Sequence, residues 1–272
     1  MRNYVNLTKT TSIKKVTLNS GTEMFVDLND IMGYRTALSG KWDDTALKVV
    51  ELFPPDNTLY IDIGANIGLT CIPIAKLGYE TIAFEPNPIA LSLLTKNIAL
   101  NSPAKFYLLP FAVGPDSENI TNVKIYVPKG NIGASSIESN WSPGADKLIV
   151  FDVPIVSLQA ALKFLHPQKR LESYSNLVIK LDIEGHEDAA MKDSELFIAK
   201  TRPIVIFENN PSVENRGARF WSAWGNYKFI AIKQNRMEAF DEKRRYENVI
   251  AVPLEKSEYL FEKLNQALFE PI

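Results

Sequence analysis

The stretch Leu59-Tyr-Ile-Asp-Ile-Gly-Ala-Asn-Ile-Gly68 decides how the chain is read. It opens as an apolar run rich in β-branched residues, the mark of a buried strand. It closes on Asp62-x-Gly64-x-Asn66-x-Gly68, and helical spacing follows from Leu69 to Leu77. Strand, glycine turn and helix in succession form a nucleotide cradle at the carboxyl end of a parallel strand. Gly64 and Gly68 carry no Cβ, so the backbone can turn sharply there and approach a ligand. The N–H groups that open the helix are expected to face that ligand.

Strands and helices alternate beyond this point. Glu80–Phe84 reads as a second strand ending in Glu85-Pro86-Asn87-Pro88, Ile89–Leu100 as a helix, and Lys105–Leu109 as a third strand closed by Phe111-Ala112-Val113-Gly114. This βαβαβ order predicts a parallel sheet with right-handed crossovers. Val123–Val127 and Leu148–Val153 flank the polar loop Lys129–Ser136 and predict an inserted hairpin, with a helix over Val156–Leu165. Leu177–Leu181 is the fourth core strand and Pro203–Phe207 the fifth. Phe220–Trp224 is a short helix candidate. Phe229–Ile232 and Asn248–Val252 are the last strands, joined by a charged connection over Arg236–Tyr246, and Ser257–Phe269 is a C-terminal helix. Before the first motif, Ile13–Leu18 and Glu23–Val26 predict a hairpin around Asn19-Ser20-Gly21. A helix over Asp43–Phe53 is stopped by Pro54-Pro55. The expected division is an N-terminal extension, 1–56, packed on an α/β domain, 57–272.

The chain of 272 residues has a net charge of −2, which gives no global attraction to nucleic acid or anionic lipid. Cys71 is the only cysteine, so no internal disulfide forms; a reducing, cytoplasmic location is expected. The first residues are polar and do not read as a signal peptide. The longest apolar stretch, Leu148–Leu165, is broken by Asp152, Pro154 and Gln159, so no membrane span is expected.

In the dinucleotide fingerprint G-x-G-x-x-G the second glycine admits a pyrophosphate. Here Asn66 fills that place, which favours a ligand without one. Glu85 lies 23 positions after Asp62, an offset that suits a carboxylate accepting two ribose hydroxyls. S-adenosyl-L-methionine has a ribose and no phosphate, and its product is S-adenosyl-L-homocysteine. Its methionine end would lie over the turn, near Asp62 and the backbone of Gly64–Gly68. The expected cofactor residues are Asp62, Gly64, Ala65, Asn66, Gly68, Glu85, Pro86, Asn87 and Ala112. The alternative for Asp62 is a helix cap, and for Glu85 a solvated strand end.

Several blocks resemble one family in order. They are Ile61-Asp-Ile-Gly-Ala-Asn-Ile-Gly68, Phe84-Glu-Pro-Asn-Pro88 with Asn97-Ile-Ala-Leu-Asn101, and Ala112-Val-Gly114. Gly133-Ala-Ser-Ser136, Ile179-Lys-Leu-Asp-Ile-Glu-Gly-His-Glu187 and Arg202-Pro-Ile-Val-Ile-Phe-Glu208 follow. Together they resemble the FkbM family of S-adenosylmethionine-dependent methyltransferases, over residues 60 to 210. The resemblance implies a class I, Rossmann-like, doubly wound sheet of seven strands in the order 3-2-1-4-5-7-6. It also implies methylation of a hydroxyl, often on a sugar or polyketide.

A sugar hydroxyl is a weak nucleophile until its proton begins to leave, so a general base helps. The end of the fourth strand offers Asp182, Glu184, His186 and Glu187 around Gly185. Asp182 is the first choice as base and His186 the second, with Glu184 beside them. Glu187, Glu208 and Ser135, the last in a loop able to cover the substrate, are acceptor-binding candidates. Glu187 reads equally as a helix start and His186 as a turn histidine bonded to backbone. The cluster could instead hold a divalent metal, but its spacing matches no dedicated metal motif, so none is expected. Asn209-Asn210-Pro211 reads as a turn, Trp221, Trp224 and Tyr227 as core, and Lys243-Arg244-Arg245 as a solvated face. The expected acceptor is a carbohydrate or other polyol. The rivals are an RNA- or protein-directed methyltransferase and a dinucleotide-dependent dehydrogenase.

Overall fold

The computed structural model describes residues 12–115, 119–140, 147–165, 171–191, 194–209, 225–233 and 236–269. The first hairpin forms as expected: Ile13–Thr17 (β1) pairs antiparallel with Glu23–Asp27 (β2). A helix absent from the sequence expectations follows, Ile31–Ser39 (α1). The Asp30 side chain accepts from Met32 and Gly33 N–H at its start, and Gly40 takes the left-handed conformation at its end. Thr45–Val50 (α2) lies inside the helix expected over 43–53.

The core then alternates strand and helix: Thr58–Ile63 (β3), Cys71–Lys76 (α3), Glu80–Phe84 (β4), Pro88–Asn101 (α4), Phe106–Leu109 (β5). Ala112–Gly114 (β6), Thr121–Pro128 (β7) and Leu148–Ser157 (β8) leave the main sheet and form a small sheet of their own, order β6-β8-β7. The inserted hairpin is therefore present, but the helix expected from Val156 begins only at Leu158, as Leu158–Leu165 (α5). Val156 pairs with Val113 as strand, where its β-branched side chain fits. Asn176–Leu181 (β9), Glu187–Ala190 (α6), Glu195–Thr201 (α7) and Ile204–Asn209 (β10) complete the parallel part. Tyr227–Lys233 (β11), Arg236–Ala239 (β12), Tyr246–Pro253 (β13) and Leu254–Phe269 (α8) close the described chain. The short helix read over 220–224, with Trp221 and Trp224, lies outside the described residues, as do Asn210 and Pro211.

The main sheet has eight strands in the order β12-β11-β13-β10-β9-β3-β4-β5. Removing β12 leaves the order 3-2-1-4-5-7-6 expected from the resemblance. The eighth strand comes from the charged connection 236–246, because Ala231 to Lys233 pair with Glu238 to Arg236 and extend the edge. An edge strand with one free side tolerates such a polar sequence.

Both faces of this sheet are covered, and period-two alternation sorts its residues. Leu59, Ile61 and Ile63 share one core cluster with Ile179, Leu181, Val205 and Phe207. Tyr60 shares the other with Val178, Ile206, Ile72 and Leu94. The N-terminal residues Met24, Val26, Val49 and Val50 belong to that second cluster. Asn97 on α4 ties β2 to it. Its Oδ1 accepts Phe25 N–H at 2.6 Å, and its Nδ2 donates to Phe25 O and Ile67 O.

Asn97→Leu strands those buried backbone groups, so we expect a loss of about 3 kcal/mol of stability. Urea unfolding measures it, and a loss under about 0.5 kcal/mol would show that the hairpin is held by packing alone.

Candidate active site

Two turns at the carboxyl end of the sheet build the site. In the first, after β3, Gly64 N–H and Ala65 N–H both donate to Phe84 O, at 3.0 and 2.9 Å, and Gly68 N–H donates to Ala65 O. Asn66 sits between them in the left-handed region, φ 51°. Its N–H donates to Glu85 Oε2 at 2.7 Å, while Asn87 N–H donates to Glu85 Oε1 at 2.7 Å. Glu85 is thus clamped by one N–H from each of two loops. The first-motif turn is not the open ring of donors the sequence suggests, because its N–H groups at 64, 65, 66 and 68 are spent on carbonyls or on Glu85. The helix also starts later, at Cys71.

In the second turn, after β9, Glu184 and Gly185 both take positive φ, 55° and 96°. A left-handed glutamate costs about 1–2 kcal/mol, so the turn is held against its preference. Glu187 does the holding: its carboxylate accepts Ile183 N–H at 3.1 Å and Gly185 N–H at 3.1 and 3.3 Å. It starts α6 and points back into the turn, buried and away from the cleft. The acceptor-binding reading of Glu187 therefore gives way to a turn-holding one.

The two turns face a cleft of about 540 Å³. Gly64, Asn66, Glu85, Pro86 and Ala112 line it, as do Asp182, Glu184, His186 and Ser135. Asp62, Ala65, Gly68 and Asn87 do not, although the sequence groups them with the cofactor residues. Gly68 is packing: a Cβ there would meet Ile72 and Leu94 side chains. Asn87 caps α4 through Ile89 N–H and donates to Ser135 Oγ at 3.0 Å. Glu208 lies outside the cleft and pairs with Arg245 at 3.1 Å.

Asp62 lies beneath the floor. Alternation puts it on the face of Tyr60, in register with Lys180 of β9. Lys180 is buried and pairs with Asp182 Oδ2 at 2.6 Å. Asp62 Oδ1 has no hydrogen-bond partner at bonding distance among the described residues, though the Cys71 thiol and Tyr60 hydroxyl beside the carboxyl favour its charged form. Burial raises the Asp62 carboxyl to about 6; Lys180 opposes the rise and the Asp182 charge adds to it. Glu85 is raised to about 7 by burial against its two N–H donors, with the charges of Asp62 and Asp182 adding. Glu187 is raised to about 7 in the same way. Burial lowers Lys180, but Asp182 and Asp62 outweigh it and hold the ammonium firmly protonated. The site as a whole is short of positive charge.

The inserted sheet roofs the cleft. Ile132 N–H donates to Asp30 Oδ2 at 2.7 Å, and Ser136 Oγ donates to Glu184 O at 2.7 Å. His186 Nδ1 lies 2.8 Å from Glu138 Oε1 of the same roof. Among the described residues, His186 Nε2 and Asn66 Oδ1 are both buried without a partner. The sequence reading gives no site role to Glu138, Ser136 or Lys180. The Lys180 pairing follows from strand alternation, which places positions 180 and 182 on one face. The Glu138–His186 pair spans 48 positions and has no local signal. No group of three or more His, Cys, Asp or Glu able to hold a metal occurs among the described residues. Nor, among those residues, is any helix long and apolar enough to cross a membrane.

Comparison with known proteins places the chain. The methyltransferase FkbM domain matches residues 62–246, which extends past the end expected near 210. The methyltransferase sdnD of Sordaria araneosa is 25% identical over 185 residues, covering 58% of this chain and 69% of that protein. The crystal structure of the methyltransferase FkbM from Methylobacillus flagellatus superimposes with a TM-score of 0.43 and 15% identity, over 72% of this chain and 44% of that one. A Pyrococcus abyssi tRNA (uracil-54, C5)-methyltransferase in complex with S-adenosyl-L-homocysteine gives 0.43 and 13%, over 89% and 44%. The chain spans less than half the length of either solved structure.

The raised carboxyls set a pH dependence. Asp62, Glu85 and Glu187 bind protons more tightly folded than unfolded, so their contribution is complete below about pH 4 and is lost as pH rises through 6 to 7. Unfolding free energy from urea titrations is expected to fall between pH 5 and pH 8; a rise across that window would contradict the buried placement.

Proposed function

Because the chain belongs to the FkbM methyltransferase family, we propose that it is an S-adenosylmethionine-dependent O-methyltransferase acting on a hydroxyl of a carbohydrate or other polyol. One observation carries the cofactor reading. Glu85 directly follows β4 and lines the cleft, with each oxygen fixed by one backbone N–H. A carboxylate oxygen accepts more than one hydrogen bond, so both retain capacity for a ribose diol.

The surroundings fit the rest of the ligand. Asn66 lines the same cleft and its buried Oδ1 has no partner among the described residues, so its amide is available to a polar group. Burial raises the proton affinity of Asp62 and Glu85, the Asp182 charge adds to both and the Asp62 charge to Glu85, and a cationic ligand relieves this. A pyrophosphate would meet the same carboxylates as repulsion, which disfavours a dinucleotide. Asp62, under the floor, acts on a ligand through its field and through Lys180 rather than by contact. When bound, the cofactor supplies a sulfonium methyl group already activated for displacement.

The chain then has to align an acceptor and receive a proton. Alignment alone can supply about 7–11 kcal/mol. Glu184 and Ser135, which both line the cleft, are the proposed acceptor contacts. Asp182 has one oxygen committed to Lys180, which weakens its claim to be the base. His186 lines the cleft with one nitrogen unspent, and is the better candidate.

Calorimetric titration tests the cofactor reading. S-adenosylmethionine should bind the wild-type protein and NAD should not. Glu85→Ala should weaken binding by roughly a hundredfold, the value of two hydrogen bonds to a charged group. Wild-type affinity in Glu85→Ala would refute the assignment.

A further inference from the structure

We propose that Glu138, on the inserted roof, is the positioning residue that makes His186 Nε2 the proton acceptor of this site. The inference rests on the methyltransferase reading above and deepens it.

The two side chains come from different parts of the fold. His186 closes the turn after β9, and Glu138 follows the roof loop, two residues past Ser136. Ser136 is buried and joins both. Its Oγ accepts Glu138 N–H at 3.0 Å and donates to Glu184 O at 2.7 Å. A second tie, Tyr126 paired with Ser136, anchors this point to β7. The backbone at Glu138 is therefore fixed relative to the turn that carries His186, and the 2.8 Å contact between Glu138 Oε1 and His186 Nδ1 follows from that placement.

A carboxylate can only accept, so Nδ1 carries the hydrogen. In a neutral imidazole the other nitrogen then holds the lone pair. That nitrogen, Nε2, is buried with no partner among the described residues, and His186 lines the cleft. A buried polar atom ordinarily has a partner, and the cleft is where a hydroxyl can provide one. As the acceptor is methylated, its O–H bond breaks and the proton passes to Nε2. The electron pair forms the new bond to the methyl carbon. The bond from that carbon to sulfur breaks, leaving its pair on a neutral thioether. The resulting imidazolium keeps its other hydrogen on Nδ1, facing the Glu138 carboxylate, which stabilises the new charge. The base is thus complete only when the roof is seated.

The chain has two histidines, His166 and His186, so long-range 1H–15N correlation spectra can read the tautomer directly, with His166→Gln to assign the signals. In wild-type protein, neutral His186 is expected with hydrogen on Nδ1 and a bare Nε2. In Glu138→Ala that pattern should be lost, with the hydrogen moving mainly to Nε2. Hydrogen on Nε2 in the wild type, or the same pattern in both proteins, would overturn the proposal. Should Glu138→Ala fail to fold, Glu138→Gln takes its place, and the wild-type tautomer alone still decides.

A purely structural pair is separated by kinetics. With radiolabelled S-adenosylmethionine and the best-methylated member of a set of nucleotide sugars and neutral oligosaccharides, Glu138→Gln should lower kcat roughly tenfold or more at unchanged KM. Glu138→Asp should recover part of the loss. Unchanged kcat would assign Glu138 to structure only. The spectra need no cofactor, so the absence of S-adenosylmethionine binding would sink the methyltransferase reading without touching the tautomer result.

Discussion

The ends of β3 and β9 approach so closely that a Cβ at Gly64 would collide with the Asp182 carbonyl oxygen. Asp182 N–H donates to Ile63 O at 3.0 Å, which carries the parallel pairing one step past the strands themselves. Gly64 also holds φ 93°, so no other residue satisfies both demands without strain. This contact places the turn that clamps Glu85 beside the turn that carries Glu184 and His186. Two loops that line the cleft are thereby made neighbours by backbone geometry before any side chain contributes.

Charge is arranged around that contact with a deficit of cations. Lys180 is the buried ammonium under the floor, and Asp62 and Asp182 share it. Burying charges is costly unless they are paired and hydrogen-bonded, and one ammonium has to serve both Asp62 and Asp182. The free protein carries that penalty as raised carboxyl proton affinities. A cationic ligand entering the cleft would recover part of it, so the site is pre-organised for positive charge. The roof contributes through backbone and hydroxyl ties at Asp30, Asn87 and Glu184, which seat it over the cleft.

Much of this was legible in the sequence. The alternation of strands and helices follows from hydrophobic runs and turn residues, and the glycine turn over 64–68 and the carboxylate at Glu85 follow from local spacing. The strand order came from family resemblance rather than periodicity. What escaped was set by tertiary geometry. Helix α1 has its caps, Asp30 and Gly40, but Ile31, Tyr34 and Leu38 are exposed, so no clean apolar stripe marks it. Asp62 reads as a ligand contact because it ends the motif strand, yet pairing with Lys180 turns it under the floor. Glu187 reads as an acceptor contact because it stands in an acidic cluster, yet two backbone N–H groups claim it. Glu138 meets His186 only through the fold.

The proposed chemistry depends on one carboxylate, Glu85, as the holder of a ribose diol in a phosphate-free cofactor. The most direct measurement compares the affinity of the wild-type protein for S-adenosyl-L-homocysteine with that for its 2′-deoxy analogue, by calorimetry at one pH and ionic strength. Removing a hydroxyl that bonds a buried carboxylate should cost roughly tenfold or more in affinity. Equal affinity for the two ligands would contradict the assignment of Glu85 and, with it, the cofactor geometry on which the proposed chemistry rests.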